Sequence, residues 1–198
     1  MIKRLFDIIF SIIGLIILSP LLIIISVLIK LGDRGPVFYK GTRVGLNGKL
    51  FKMYKFRTMV INADKIGGPS SSDDDARITK IGKLLRKFKL DEFPQFINVL
   101  KGEMSFVGPR PEVKEVVGLY TERELPILTL KPGITDYASL WNSNEGKILE
   151  GEPDPHKAYM EKVWPTKAKL QLKYLKEKSF LTDIKIILQT IKTIIKYN

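Results

Sequence analysis

The chain has 198 residues, enough for one globular domain with a real core and one additional element. Its 33 Lys and Arg outnumber 21 Asp and Glu, giving a net charge of +12 that calls for a polyanionic partner: nucleic acid, an anionic lipid surface or a phosphorylated substrate. It has no cysteine, which excludes disulfide scaffolds, thiol nucleophiles and cysteine-bound zinc, and its one histidine, His156, sits in the turn-forming stretch Pro153-Asp154-Pro155-His156. Acid, base and nucleophile are therefore sought among carboxylates, hydroxyls and lysines.

The first element is a run of 22 uncharged residues from Ile8 to Ile29, 17 of them apolar. As a helix it is roughly 33 Å long, enough to cross a hydrocarbon core. It is too long for a signal-peptide core, and it lacks the polar face of a soluble helix. Ser19-Pro20 interrupts it: proline removes a backbone donor and bends a helix, and the serine hydroxyl can serve a carbonyl that the bend frees. Both flanks are basic, with Lys3 and Arg4 before the run and Lys30, Arg34, Lys40 and Arg43 after it. Positive flanks prefer the cytoplasmic side. A straight span satisfies one flank; a re-entrant helix kinked at Ser19-Pro20, dipping into one leaflet, satisfies both.

Next come short strands, Val37 to Tyr39 and Leu50 to Phe56, with Asn47-Gly48 as hairpin turn. A polar Gly/Ser/Asp loop covers 67–75, and helices are predicted over about 78–90 and 94–101, the second opened by Pro94 and closed by Gly102. Helix is also expected over about 112–124, irregular chain over 130–155, and basic helices over about 156–178 and 183–196, the last capped by Thr182. Two stripes are candidates for lying on a membrane surface: Ile81, Leu84, Leu85 and Phe88, and Ile184, Ile187, Leu188, Ile191, Ile194 and Ile195, the latter with Lys185, Lys192 and Lys196 around them. The fold class is α+β and mainly helical, with a membrane element over 1–30 and one catalytic domain over 31–198.

Chemistry concentrates in Leu90-Asp91-Glu92-Phe93-Pro94-Gln95. Two carboxylates end a basic helix just before another begins, where the helix dipole favours anions, and Arg86, Lys87 and Lys89 would keep at least one ionised. An ionised carboxylate can ligate Mg²⁺ or attack phosphorus to give an acyl phosphate. A competing acidic site is Asp73-Asp74-Asp75, whose Asp-x-Asp spacing suits a divalent ion bridging a nucleotide diphosphate. Cations for phosphate come from Pro109-Arg110-Pro111, where flanking prolines stiffen the arginine, and from Lys55-Phe56-Arg57. No single-strand platform or groove-reading helix accompanies them, so nucleic acid is not the expected partner.

Taken together, the N-terminal segment with Ser19-Pro20, then GPVFYKGTRVGLNGKLFKMYKFRTM, LDEFPQFINVLKGEMSFVGPRPE and LKPGIT, resemble the bacterial sugar transferases of the small monotopic phosphoglycosyl transferase type, such as the bacillosamine-phosphate transferases. The resemblance covers roughly residues 1–135. It implies transfer of a sugar 1-phosphate from a UDP-sugar to polyprenol phosphate at the cytoplasmic face of the bacterial plasma membrane, with Mg²⁺ and release of UMP, through an enzyme-bound phosphosugar. It further implies Asp91 as nucleophile, Glu92 as metal or proton partner, both as metal ligands, and Arg86, Arg110, Lys55 and Arg57 as phosphate or nucleotide holders. After Thr135 the common Gly-Trp-Ala-Gln is replaced by Asp136-Tyr137-Ala138-Ser139, and residues from there to about 155 are expected to help choose the sugar. The alternatives are an anchored transferase using the triple aspartate without a covalent intermediate, and a membrane-tethered basic binding protein.

Overall fold

The computed structural model describes residues 1–68, 70–142 and 144–197, with side chains to residue 194. Pro69 of the expected loop, and the Ile195 and Lys196 side chains of the expected C-terminal stripe, lie outside the described residues. The chain opens with helix α1 (Ile2–Asp33), followed by strands β1 (Phe38–Val44) and β2 (Leu50–Phe56). Short helix α2 (Ala63–Ile66) precedes α3 (Lys80–Lys87), a 3₁₀ turn over Leu90–Glu92 and α4 (Gln95–Lys101). Strand β3 (Ser105–Val107), α5 (Lys114–Val117), β4 (Gly133–Thr135), α6 (Tyr137–Trp141) and α7 (Glu145–Ile148) form the middle of the chain. It closes with α8 (Pro155–Ala158), a π turn into α9 (Trp164–Glu177), and α10 (Phe180–Tyr197).

Helix α1 is mostly exposed and apolar, but both its ends are fastened to the same body. At the start, Lys3 Nζ donates to Asp183 Oδ2 at 2.6 Å, to Tyr174 and to the Val107 carbonyl, while Arg4 donates to the carbonyls of Val99 and Leu100. Buried Asp7 accepts from Ser105 Oγ and the Phe106 amide. At the other end, Ile25 and Ile29 share a core cluster with Phe56 and Leu85, and Asp33 pairs with Arg57. The flanking cations Lys3 and Arg4 are thus consumed inside the protein, and fix the helix by direct bonds instead of by surface potential. Within α1, Ser19 Oγ donates to the carbonyl of Ile16 at 2.8 Å. That carbonyl is the one whose helical donor Pro20 lacks.

Strands β1 and β2 form the expected antiparallel hairpin, Phe38 opposite Phe56 and Val44 opposite Leu50, around Asn47 and Gly48, both with positive φ. Buried Asn98 on α4 finishes β2: its amide oxygen accepts from the Tyr54 amide and its nitrogen donates to the Lys52 carbonyl. Helix α3 is capped by Thr79 and pressed onto the Thr58 carbonyl, so closely that a Cβ on Gly82 would lie 2.0 Å from that oxygen.

Several expectations give way. Helix over 112–124 shrinks to the single turn α5, which ends at Gly118 and buries Val116. Ser105–Val107, leading into VGPRP, pairs in parallel with Gly133–Thr135 of KPGIT as strands β3 and β4, and a Cβ at Gly133 would lie 2.1 Å from the Gly108 nitrogen. Thr182 lies inside α10, and it is Ser179 Oγ that accepts from the Thr182 amide. Helix α10 packs through Asp183 and Ile186, leaving Leu188, Ile191 and Ile194 of the expected stripe exposed. From the α3 stripe, Leu85 is core and Leu84 is half exposed.

Candidate active site

Helix α3 ends at Phe88, and Lys89 takes a left-handed backbone (φ 56°), an uncommon geometry for a side chain of its size. The reversal delivers the next turn, Leu90-Asp91-Glu92, to the rim of a cleft of about 2030 Å³. The start of α4 follows directly after Pro94. The two neighbouring carboxylates have different partners. Glu92 is gripped by Lys55 Nζ at 2.8 Å and by both terminal nitrogens of Arg110, a fork-to-fork pair. Among the described residues Asp91 makes no such bond; its Oδ2 lies 3.9 Å from Lys55, and its side chain is 8% exposed.

The electrostatics follow. Burial pushes the Asp91 carboxyl up and the negative Glu92 adds to the rise, while Lys55 draws it partly back; the net direction is upward. Burial also raises Glu92, but Arg110 and Lys55 outweigh it and hold that carboxyl well below the usual carboxylate range. The cations that keep one acid ionised are thus brought from β2 and the proline loop, more than from the preceding helix. One carboxylate is locked in its charged form beside another that is buried and chemically available.

The other predicted residues divide. Arg86 faces the cleft and donates to Thr58 Oγ1 and Ser71 Oγ, near enough to Asp91 for their charges to attract. Arg57 is committed to Asp33 and to the carbonyls of Pro36 and Met59, closing α1 onto β2. Within the triple aspartate, Asp75 pairs with Arg77 and Asp73 accepts from Asn144. His156 Nδ1 contacts Ser70 Oγ at 3.2 Å. Among the described residues, no group of three or more acidic or histidine side chains stands ready to hold a metal. Mg²⁺ needs only one or two carboxylates when substrate phosphates complete its shell, and Asp91 beside Glu92 fits that requirement.

A second buried ion cluster went unread in the sequence. Lys167, 3% exposed, sits between Glu112 and Glu145, each at 2.8 Å, and contacts the Tyr159 hydroxyl, which itself donates to Glu112. Burial alone would depress this ammonium, yet the two carboxylates hold it well above the usual lysine range. The signal was available: Trp164, Lys167, Ala168, Gln171 and Tyr174 share one helical face, so Lys167 is a cation on a buried stripe. Arg110 belongs to this layer too, its amide donating to Asp136 Oδ2, while Gln171 donates to the same carboxylate.

The family model for bacterial sugar transferases matches residues 1–197. The chain belongs to the bacterial sugar transferase family. Among its relatives in that family is a UDP-N-acetylgalactosamine-undecaprenyl-phosphate N-acetylgalactosaminephosphotransferase of Aeromonas hydrophila, 37% identical over 98% of this chain. The UDP-glucose:undecaprenyl-phosphate glucose-1-phosphate transferase of Escherichia coli is 38% identical over 96% of this chain. The chain spans only 44% and 39% of those two proteins, but 87% of the sugar transferase EpsL of Bacillus subtilis, to which it is 37% identical over 98% of its own length. The enzyme class read from the motifs, a phosphoglycosyl transferase, is that of the named bacterial sugar transferases.

Proposed function

We propose that the protein transfers a sugar 1-phosphate from a UDP-sugar to a polyprenol phosphate such as undecaprenyl phosphate, through a covalent intermediate on Asp91. The observation that carries this is the division of labour in the dyad: Glu92 is held by Arg110 and Lys55, while among the described residues Asp91 has no hydrogen-bonded partner, and it faces the cleft. An Asp91 oxygen attacks the phosphorus bearing the sugar, forming an acyl phosphate, and the bond to the leaving phosphate breaks to release UMP. A phosphate oxygen of the polyprenol then attacks the same phosphorus and breaks the acyl–phosphate bond. The product is a lipid-linked diphosphate sugar, and the Asp91 carboxylate is restored. Arg86, Arg110 and Lys55 neutralise phosphate charge during both displacements. Mg²⁺, held by Asp91 and Glu92 with substrate oxygens, would supply further charge neutralisation.

Helix α1 serves in this reading as a re-entrant anchor on the cytoplasmic leaflet. Straight, its 32 residues measure roughly 48 Å, and both of its ends are bonded to one body. A helix crossing to the far side of the bilayer would have to tear one of those attachments. The exposed apolar residues of α10 suit an interfacial position beside it. The acceptor explains the anchor, since one product stays in the membrane and the other leaves in water. The triple-aspartate route is disfavoured by the commitment of Asp75 to Arg77.

The test is to incubate the full chain in nanodiscs with Mg²⁺, undecaprenyl phosphate and a panel of UDP-sugars. UMP released in step with a lipid-linked sugar diphosphate is expected. Release of UDP, or no nucleotide with any sugar, would contradict the reading.

A further inference from the structure

The cleft is not uniform in charge. Around the dyad it is lined by Lys55, Arg86 and Arg110, whereas the segment from α6 to α7 contributes Ser139, Asn142, Asn144 and Glu145. Glu145 stands out among these. One of its oxygens accepts from Lys167 at 2.8 Å, yet a third of its side chain is exposed on the cleft. The cluster behind it contains one cation against two carboxylates, so acceptor capacity is left over after Lys167 is satisfied. Close by in sequence and on the same lining, the Asn142 side-chain nitrogen is buried without a hydrogen-bond partner among the described residues.

A carboxylate in this place repels phosphate and suits a neutral hydroxyl donor. Glu145 and Arg110 are near enough for their charges to attract, and Arg110 holds Glu92 of the dyad. The sugar is joined through one oxygen to the phosphorus that Asp91 attacks, and Glu145 lines the same cleft as Asp91, near enough to Glu92 for their charges to repel. We infer that Glu145, held by Lys167, reads the sugar of the donor by accepting a hydrogen bond from one of its hydroxyl groups. Asn142 supplies the complementary donor. The inference rests on the transferase reading above and assigns its specificity to α7. The named relatives act on different sugars, N-acetylgalactosamine and glucose, so the family alone does not supply this choice.

The experiment compares kcat/KM for the donor that the wild-type chain uses best with kcat/KM for its 3-, 4- and 6-deoxyfluoro analogues, in wild type and in Glu145→Ala. Lys167 keeps Glu112 in this variant. Glu145→Gln, which preserves the bulk beside Lys167, is the companion should the alanine variant fold poorly. In wild type, one analogue is expected to lose roughly ten- to hundredfold, the cost of one hydrogen bond to a charged group. In the variant, that single penalty should shrink to within about threefold while the other two stay unchanged, the signature of direct coupling. An equal loss on every donor would reduce Glu145 to a structural partner of Lys167 and overturn the inference, as would unaltered penalties. No turnover by wild type with any UDP-sugar would overturn the transferase reading itself.

Discussion

Among the described residues, the buried ion clusters at the dyad and around α9 are built on opposite plans. At the dyad, one carboxylate, Glu92, is held by two cations, Lys55 and Arg110, and a second carboxylate stands unbonded beside them. Around α9, one cation, Lys167, is held by two carboxylates and a tyrosine. With Arg86 on the same cleft, the first arrangement sets three cations against two carboxylates, a surplus that suits phosphate, and leaves Asp91 without a hydrogen-bonded partner among the described residues. The second leaves no bare cation and turns one of its two carboxylates, Glu145, toward the cleft. Burying ions costs several kcal/mol each whichever plan is used. Only the cluster that withholds a partner from one member can do nucleophilic chemistry.

Breaking each plan should have distinct consequences. Asp91→Asn removes the free member, and turnover is expected to fall by at least about 10⁴-fold in the UMP-release assay. Lys167→Met strips Glu112 and Glu145 of their shared cation, and the loss should appear as stability, about 3–5 kcal/mol in denaturant unfolding. Arg110→Ala removes the proposed phosphate clamp and two of the three hydrogen bonds on Glu92, with an expected loss in kcat/KM of about 10²–10³.

The pH dependence sharpens the contrast within the dyad. Asp91 must be ionised to attack, and its carboxyl is raised by burial. Turnover should therefore fall on the acid side at a pH above the usual carboxylate range, about tenfold per unit, and that limb should report Asp91. Glu92, held low, contributes stability at neutral pH that is lost only as pH falls through its depressed folded value. The smallest effect has the opposite sign. A raised carboxyl costs stability once the pH rises past its unfolded value, so the same Asp91→Asn variant that abolishes turnover should be slightly more stable than wild type at pH 7, read as a higher denaturant midpoint.

Much of this was legible in the sequence where a local rule governs. The Asn47-Gly48 hairpin, the α4 boundaries at Pro94 and Gly102, and the serine serving a carbonyl at Pro20 all follow from backbone chemistry within a few residues. Adjacent carboxylates before Phe-Pro marked the candidate dyad. The remainder depends on long-range partners. Strands β3 and β4 have three residues each, too few to show a period, and they pair only because Gly108 and Gly133 let two backbones meet. Lys3 and Arg4 read as membrane-flanking charges and Arg57 as a phosphate holder, but their partners lie on distant elements, from 24 residues away for Arg57 to 180 for Lys3. Distinguishing Asp91 from Glu92 required knowing which of them Arg110 would reach.

The most direct test of that distinction is to mix the full chain with Mg²⁺ and a UDP-sugar in the absence of lipid acceptor and measure the intact mass, followed by peptide mapping. An adduct equal to one sugar phosphate, carried by the peptide containing Asp91, lost in Asp91→Asn and discharged by polyprenol phosphate, is the predicted result. UMP formation that proceeds only with acceptor present, with no adduct at any time, or an adduct on another residue, would contradict a free Asp91 nucleophile beside a locked Glu92.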